Sequence, residues 1–271
     1  MQGNLHADPA NQHASDGDDP DPDPSGPDGS EPVVVFEDVG LRLGGTRVLD
    51  GLSFEVRAGE TLCLVGRSGS GKTSALKLVN RLLEPDAGRV RVEGRPTTGR
   101  DPIELRRRTG YVLQGIGLFP HLTVAENAAL VPRLEGWDET RRRARAGELL
   151  ETVGLPPAEF ADRWPRELSG GQRQRVGVAR ALAADPPLLL CDEPFGALDP
   201  ITRRELQDEF RALTGRLGKT MIFVTHDVRE ALLMGDRVGL LEDGGLAFLG
   251  DTDAFRASDH PLVRSFLGEG P

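Results

Sequence analysis

The run Gly66-Arg67-Ser68-Gly69-Ser70-Gly71-Lys72-Thr73, with Ser74 after it, fits the pattern G-x-x-x-x-G-K-[ST] and narrows what this chain can fold into. Such a loop needs a strand to enter it and a helix to leave it, because its backbone N–H groups then converge on an anion at a helix N-terminus. Both flanks are legible. Glu60-Thr61-Leu62-Cys63-Leu64-Val65 reads as a buried strand, and a helical stretch runs from 72 to about 83. In this pattern the glycines let the backbone wrap phosphates, Lys72 reaches the β- and γ-phosphates of a nucleotide, and the Thr73 hydroxyl ligates magnesium. A glycine-rich turn with a solvated lysine would need neither flank.

The rest of the chain points to an α/β core. Leu188-Leu189-Leu190-Cys191 and Met221-Ile222-Phe223-Val224 are continuously apolar, as strands buried on both faces of a parallel sheet are. Short strands are expected from Val33 to about Val56, broken at Gly44-Gly45, and the pattern from 115 to 185 is mostly helical. Residues 33–271 therefore read as one domain with a helical subdomain at about 115–170. Residues 1–32 hold seven Asp and one Glu with no Lys or Arg, and almost no apolar side chains. They are expected to be a disordered acidic tail, since they cannot bury enough surface to offset ordering entropy. The tail supplies eight of the ten net negative charges, so the acidity does not mark a functional face. No apolar run approaches the roughly 20 residues that span a bilayer, and no signal-peptide core opens the chain, so a cytosolic protein is expected. Cys63 and Cys191 lie in apolar strands and read as small buried hydrophobes rather than a disulfide.

Two further segments carry chemistry. The strand ending at Cys191 is followed by Asp192 and Glu193. Asp192 is a natural partner for a hard cation, which prefers oxygen ligands, and Glu193 is suited to orient or deprotonate an attacking water. Leu168-Ser169-Gly170-Gly171-Gln172 precedes a helical stretch at 173–184, a second serine-and-glycine helix start suited to an anion. Ser169 alone could be explained as a helix cap. The clusters Arg106-Arg107-Arg108 and Arg141-Arg142-Arg143 read as solvated helix faces, and no nucleic-acid partner is expected.

In this order, the glycine loop, Gln114 after a strand, Leu168-Ser169-Gly170-Gly171-Gln172, the strand ending in Asp192-Glu193, Ala197-Leu198-Asp199 and His226 resemble the ATP-binding cassette ATPases that drive ABC transporters. The resemblance covers about residues 33–250. It implies a P-loop core with a parallel sheet, an antiparallel β subdomain and a helical subdomain, binding ATP and Mg2+. It also implies a nucleotide-sandwich dimer of two ATPase subunits, expected to be identical, in which Ser169, Gly170, Gly171 and Gln172 of one subunit face the γ-phosphate held by the other. Gln114 would sense magnesium and the γ-phosphate, His226 would hold that phosphate and the attacking water, and Asp199 would connect the two sites. Relatives usually stack adenine on an aromatic residue. That position here is Leu43, which offers dispersion but no π-face.

The stretch Gly110-Tyr111-Val112-Leu113-Gln114-Gly115-Ile116-Gly117-Leu118-Phe119-Pro120-His121, with Leu130-Val131-Pro132 and Gly136-Trp137, resembles more narrowly the glycine betaine, choline and carnitine importer ATPases. Asp192-Glu193-Pro194-Phe195-Gly196-Ala197-Leu198-Asp199-Pro200-Ile201-Thr202-Arg203 supports the same subgroup. The resemblance implies membrane permease partners at the cytoplasmic face of the membrane and an extracytoplasmic solute-binding protein. A core role would suit Ile116, Leu118 and Phe119; the resemblance instead places this region beside the groove that receives a permease helix, and the two roles are compatible. A motor for a lipid or another small solute would carry the same motifs, and a cassette acting outside transport is a third reading. Relatives often add C-terminal CBS-type modules, which a chain ending at Pro271 is expected to lack. Pro261-Leu262-Val263-Arg264-Ser265-Phe266-Leu267 is expected to form a short amphipathic helix on its own domain.

Overall fold

The computed structural model describes residues 32–115, 117–196 and 198–268. The expected tail up to Glu31 lies outside the described residues, as do Ile116 and Ala197. The chain enters through β1 (Pro32–Leu43), β2 (Thr46–Arg57) and β3 (Thr61–Val65), then α1 (Lys72–Val79), β4 (Ala87–Val92), β5 (Arg95–Pro96), α2 (Pro102–Arg107) and β6 (Thr109–Val112). A helical stretch follows: α3 (Val124–Ala128), α4 (Leu130–Leu134), α5 (Glu139–Thr152), α6 (Pro157–Phe160) and α7 (Gly170–Ala181). The chain then returns through β7 (Leu188–Asp192), α8 (Pro200–Arg216), β8 (Thr220–Val224), α9 (Val228–Met234), β9 (Arg237–Glu242), β10 (Gly245–Asp251), α10 (Thr252–Ala257) and α11 (Pro261–Leu267).

Two sheets divide these strands. One is antiparallel, in the order β2-β1-β4-β5. The other has the order β10-β9-β3-β8-β7-β6, parallel from β9 to β6 with β10 antiparallel at its edge. The continuous apolar strands explain why the second sheet is buried on both faces. Leu62, Leu64, Leu188, Leu190, Ile222 and Val224 pack into one core, while their neighbours Cys63, Val65, Leu189, Cys191, Met221 and Phe223 pack into another. Alternate side chains of a strand point to opposite faces, so an unbroken apolar run is what a two-sided core requires. Both cysteines are fully buried and unpaired, as their setting suggests. In α11, Val263 is fully buried in this core, and Leu262 and Phe266 pack against it.

Three boundaries differ from expectation. β1 and β2 are long strands rather than several short ones, because irregular register near Val39 and Leu41 bends the pairing without ending it. Gly44 and Gly45, both at positive φ, close the hairpin in two residues. Helix α1 stops at Val79, short of 83. Arg81 adopts a left-handed φ of 53°, and the Leu82 N–H donates back to the Lys77 carbonyl at 2.8 Å. Helix α7 spans Gly170–Ala181 rather than 173–184, starting as soon as Ser169 caps it.

Helix α7 is seated against β6, and Gly110 sets how closely. A Cβ there would lie 2.5 Å from both the Ala181 carbonyl oxygen and Leu189 Cδ2. Gly110→Ala should therefore destabilise the chain by about 1–3 kcal/mol, the usual cost of overpacking. Denaturant unfolding measures this, and an unchanged midpoint would contradict the packing described.

Candidate nucleotide site

The loop at 66–73 leaves β3 and enters α1. Gly66, Gly69 and Gly71 take φ of 155°, 85° and 102°, which only glycine adopts at low cost. Space confirms the requirement at two of them. A Cβ on Gly66 would meet the Leu241 carbonyl oxygen at 2.4 Å, and one on Gly71 would meet Leu49 Cδ2 at 2.5 Å. The second contact docks the β1–β2 hairpin onto the loop. Inside the cradle, Lys72 Nζ donates to the carbonyls of Gly66 and Arg67, both at 2.8 Å, and to Ser70 Oγ at 3.3 Å. Burial lowers the Lys72 pKa, while Glu193 and Asp192 pull it back up. A cation in a ring of backbone polar groups, at the start of an eight-residue helix, suits the phosphates of a nucleotide.

The carboxylates come from the end of β7. Thr73 Oγ1 donates to Asp192 Oδ1 at 2.9 Å, and Tyr111 OH donates to Asp192 Oδ2 at 3.3 Å. Burial raises the Asp192 pKa against these two bonds. Two hard oxygen donors thus stand together beside the phosphate cradle, a donor set suited to magnesium that keeps most of its ligands from water and phosphate. Among the described residues no group of three or more His, Cys, Asp and Glu could by itself hold a metal ion. Such a cation would need the nucleotide's oxygens to complete its shell.

Glu193 follows at a left-handed φ of 43°, with its N–H donated to the Val224 carbonyl at 2.9 Å. Its Oε2 lies 3.1 Å from His226 Nδ1 and accepts from Gln114 Nε2 at 3.3 Å. The structure therefore gathers Gln114, Asp192, Glu193 and His226 with Lys72 and Thr73, from four different strand ends. His226 thus meets the Glu193 carboxylate. Its side chain is 64% exposed, so an incoming phosphate or water can replace that contact.

Three expected site segments stand apart from this cluster in their bonding. Ser169 and Gln172 bond each other as a capping box at the start of α7. Gly171 allows α7 to approach α8, since a Cβ would sit 2.8 Å from Thr202 Cγ2. Asp199 caps α8, accepting from the Thr202 N–H at 3.1 Å, and these bonds lower its pKa. Leu43, 42% exposed, sits at the tip of the hairpin that docks on the loop. Arg106 and Arg108 are engaged with the Arg81 carbonyl and Glu93, and Arg141 lies over the Trp137 ring.

Sequence reasoning missed several supporting residues. Tyr111 holds Asp192 from the neighbouring strand. Asn127, fully buried, bonds the Phe119 N–H and the carbonyls of Phe119, Leu122 and Thr123. Arg180 donates to the Gly117 carbonyl at 2.7 Å. Asn127 and Arg180 thereby fix the loop that follows Gln114. A polar residue at an apolar position of a helix was the one available signal.

The chain is similar to known proteins over most of its length. It is 49% identical over 227 residues to the glycine betaine/carnitine/choline transport ATP-binding protein OpuCA of Bacillus subtilis, covering 83% of this chain and 60% of that protein. It is 44% identical to the glycine betaine uptake system ATP-binding protein YehX of Escherichia coli, covering 87% and 77% respectively. This chain thus spans about three fifths of the length of the Bacillus relative. A solved dimer of the ATP-binding cassette MJ0796, in a post-hydrolysis state bound to ADP and Pi, superposes with a TM-score of 0.71 at 34% identity, covering 81% of this chain and 98% of that one. The fold is therefore that of the ATP-binding cassette. A family model described as ABC transporter matches residues 49–196, and the chain belongs to that family.

Proposed function

We propose that this chain is the ATP-hydrolysing motor subunit of an ABC importer for quaternary-amine osmoprotectants such as glycine betaine, choline or carnitine. The observation that carries the proposal is the convergence of Lys72, Thr73–Asp192 and the Gln114–Glu193–His226 cluster in a chain so similar to ATP-binding subunits of such systems. On this reading the motor works as a dimer at the cytoplasmic face of the membrane, bound to permease subunits served by an extracytoplasmic solute-binding protein. Among the described residues no helix is long and apolar enough to cross a membrane. Leu113 and Phe119 are exposed, which supports a permease contact in this region, whereas Leu118 packs against the core.

The residues divide the labour. Backbone N–H groups of 66–73, with Ser74, cradle the phosphates of ATP, and Lys72 exchanges its loop carbonyls for phosphate oxygens. Thr73, Asp192 and Gln114 would hold magnesium, which supplies charge neutralisation on the transferred phosphoryl group. Glu193 orients the attacking water and accepts its proton as the new O–P bond forms and the bond to ADP breaks. His226 steadies the γ-phosphate. Ser169, Gly170, Gly171 and Gln172 would close the site from a second copy on the helical subdomain near 115–170, with Asp199 linking the two sites.

Glu193→Gln keeps the shape and removes the base. Turnover should fall about 10²-fold or more, and the variant should accumulate as an ATP-bound dimer in light scattering. A monomer with normal turnover would refute the mechanism. At the base end, Leu43→Tyr supplies a ring worth about 0.5–1.5 kcal/mol, so ATP should bind several-fold more tightly. Unchanged ATP affinity in calorimetry would remove Leu43 from the adenine site.

A further inference from the structure

Behind His226 lies a buried carboxylate that the proposed mechanism does not use. Glu230, in α9, is 7% exposed. Its Oε1 accepts from Gln207 Nε2 at 2.9 Å, and its Oε2 accepts from the Thr225 hydroxyl. Thr225 is itself buried. Its Oγ1 accepts from the Asp227 N–H at 3.0 Å, and its N–H donates to the Leu64 carbonyl at 3.2 Å. The residue held between Thr225 and Asp227 is His226. At the other end of the network, Gln207 is buried on α8, the helix that Asp199 caps.

A carboxylate in this position is costly, since burial disfavours its charge, and its pKa is raised accordingly. An apolar side chain of similar size would avoid the cost but would leave the Thr225 hydroxyl and the Gln207 amide without their acceptor. We propose that Glu230 is a positioning residue: it holds the 225–227 turn that aims His226 at Glu193, and it ties that turn to α8 through Gln207. The inference rests on the reading of His226 given above. It adds a connection inside one chain between the histidine turn and the helix that begins at Asp199. Displacement of α8 would be felt at His226 through two hydrogen bonds.

Steady-state ATP hydrolysis by the full chain tests this. Glu230→Leu should lower kcat about tenfold or more while KM for ATP stays within about twofold, because the phosphate cradle is untouched and only aim is lost. Glu230→Gln should restore kcat to near the parent value. Its amide can accept from Thr225 and donate to Gln207 once that side chain turns over. His226→Ala, measured alongside, separates the two readings. If that variant keeps full kcat, the role given to His226 fails. If it loses kcat but Glu230→Leu does not, the positioning role alone fails. Should Glu230→Leu misfold by circular dichroism, Thr225→Val decides: the same loss of kcat at constant KM supports the connection, and unchanged kcat overturns it.

Discussion

The pairing of β8 with β3 on one side and β7 on the other aligns the candidate site. Leu64 and Asp192 both pair with Val224, so three strands end level with one another. The glycine loop, the carboxylates and the histidine turn therefore leave the same edge of the sheet. Gln114 reaches that edge from β6, paired alongside β7. Ligands of open α/β sheets bind beyond the carboxyl ends of the strands, and the two-sided apolar core fixes those ends rigidly. Shifting one strand by a residue would exchange its two faces and misplace its loop.

On that edge the backbone is already committed. Glu193 takes a left-handed conformation, costing about 1–3 kcal/mol for a residue other than glycine, and its N–H is fastened to the Val224 carbonyl. Lys72 is held by the loop's own carbonyls. The proposed reaction thus starts from a cradle and a carboxylate set in place by the fold. The ligand displaces existing partners and need not order a loose loop.

How much of this was legible follows from the range of each interaction. The glycine loop, the two-sided strands and the Ser169 cap are local signals, read from spacing and apolarity. The end of α1 escapes the sequence pattern because the reversal is made by Arg81, which carries no glycine to announce it. Tyr111, Arg180 and Glu230 carry no sequence signal for another reason. Their partners Asp192, Gly117 and Gln207 are brought near by the tertiary fold, and no periodicity encodes such pairs. Leu43 was legible as a departure from its relatives, but the docking of its hairpin on the loop, with Leu49 against Gly71, was not.

On the function proposed above, the loop at 66–73 is half of a site whose other half, at Ser169, belongs to a second copy. Cys63 and Cys191 are fully buried, so cysteines introduced at Ser68 in one preparation and at Ser169 in another would be the reactive thiols. The two single variants, each also carrying Glu193→Gln, are mixed and exposed to a short thiol cross-linker. A covalent species of twice the chain mass should form with ATP and magnesium and not with ADP. Absence of that species with ATP, or equal amounts with either nucleotide, would contradict a site shared between two copies.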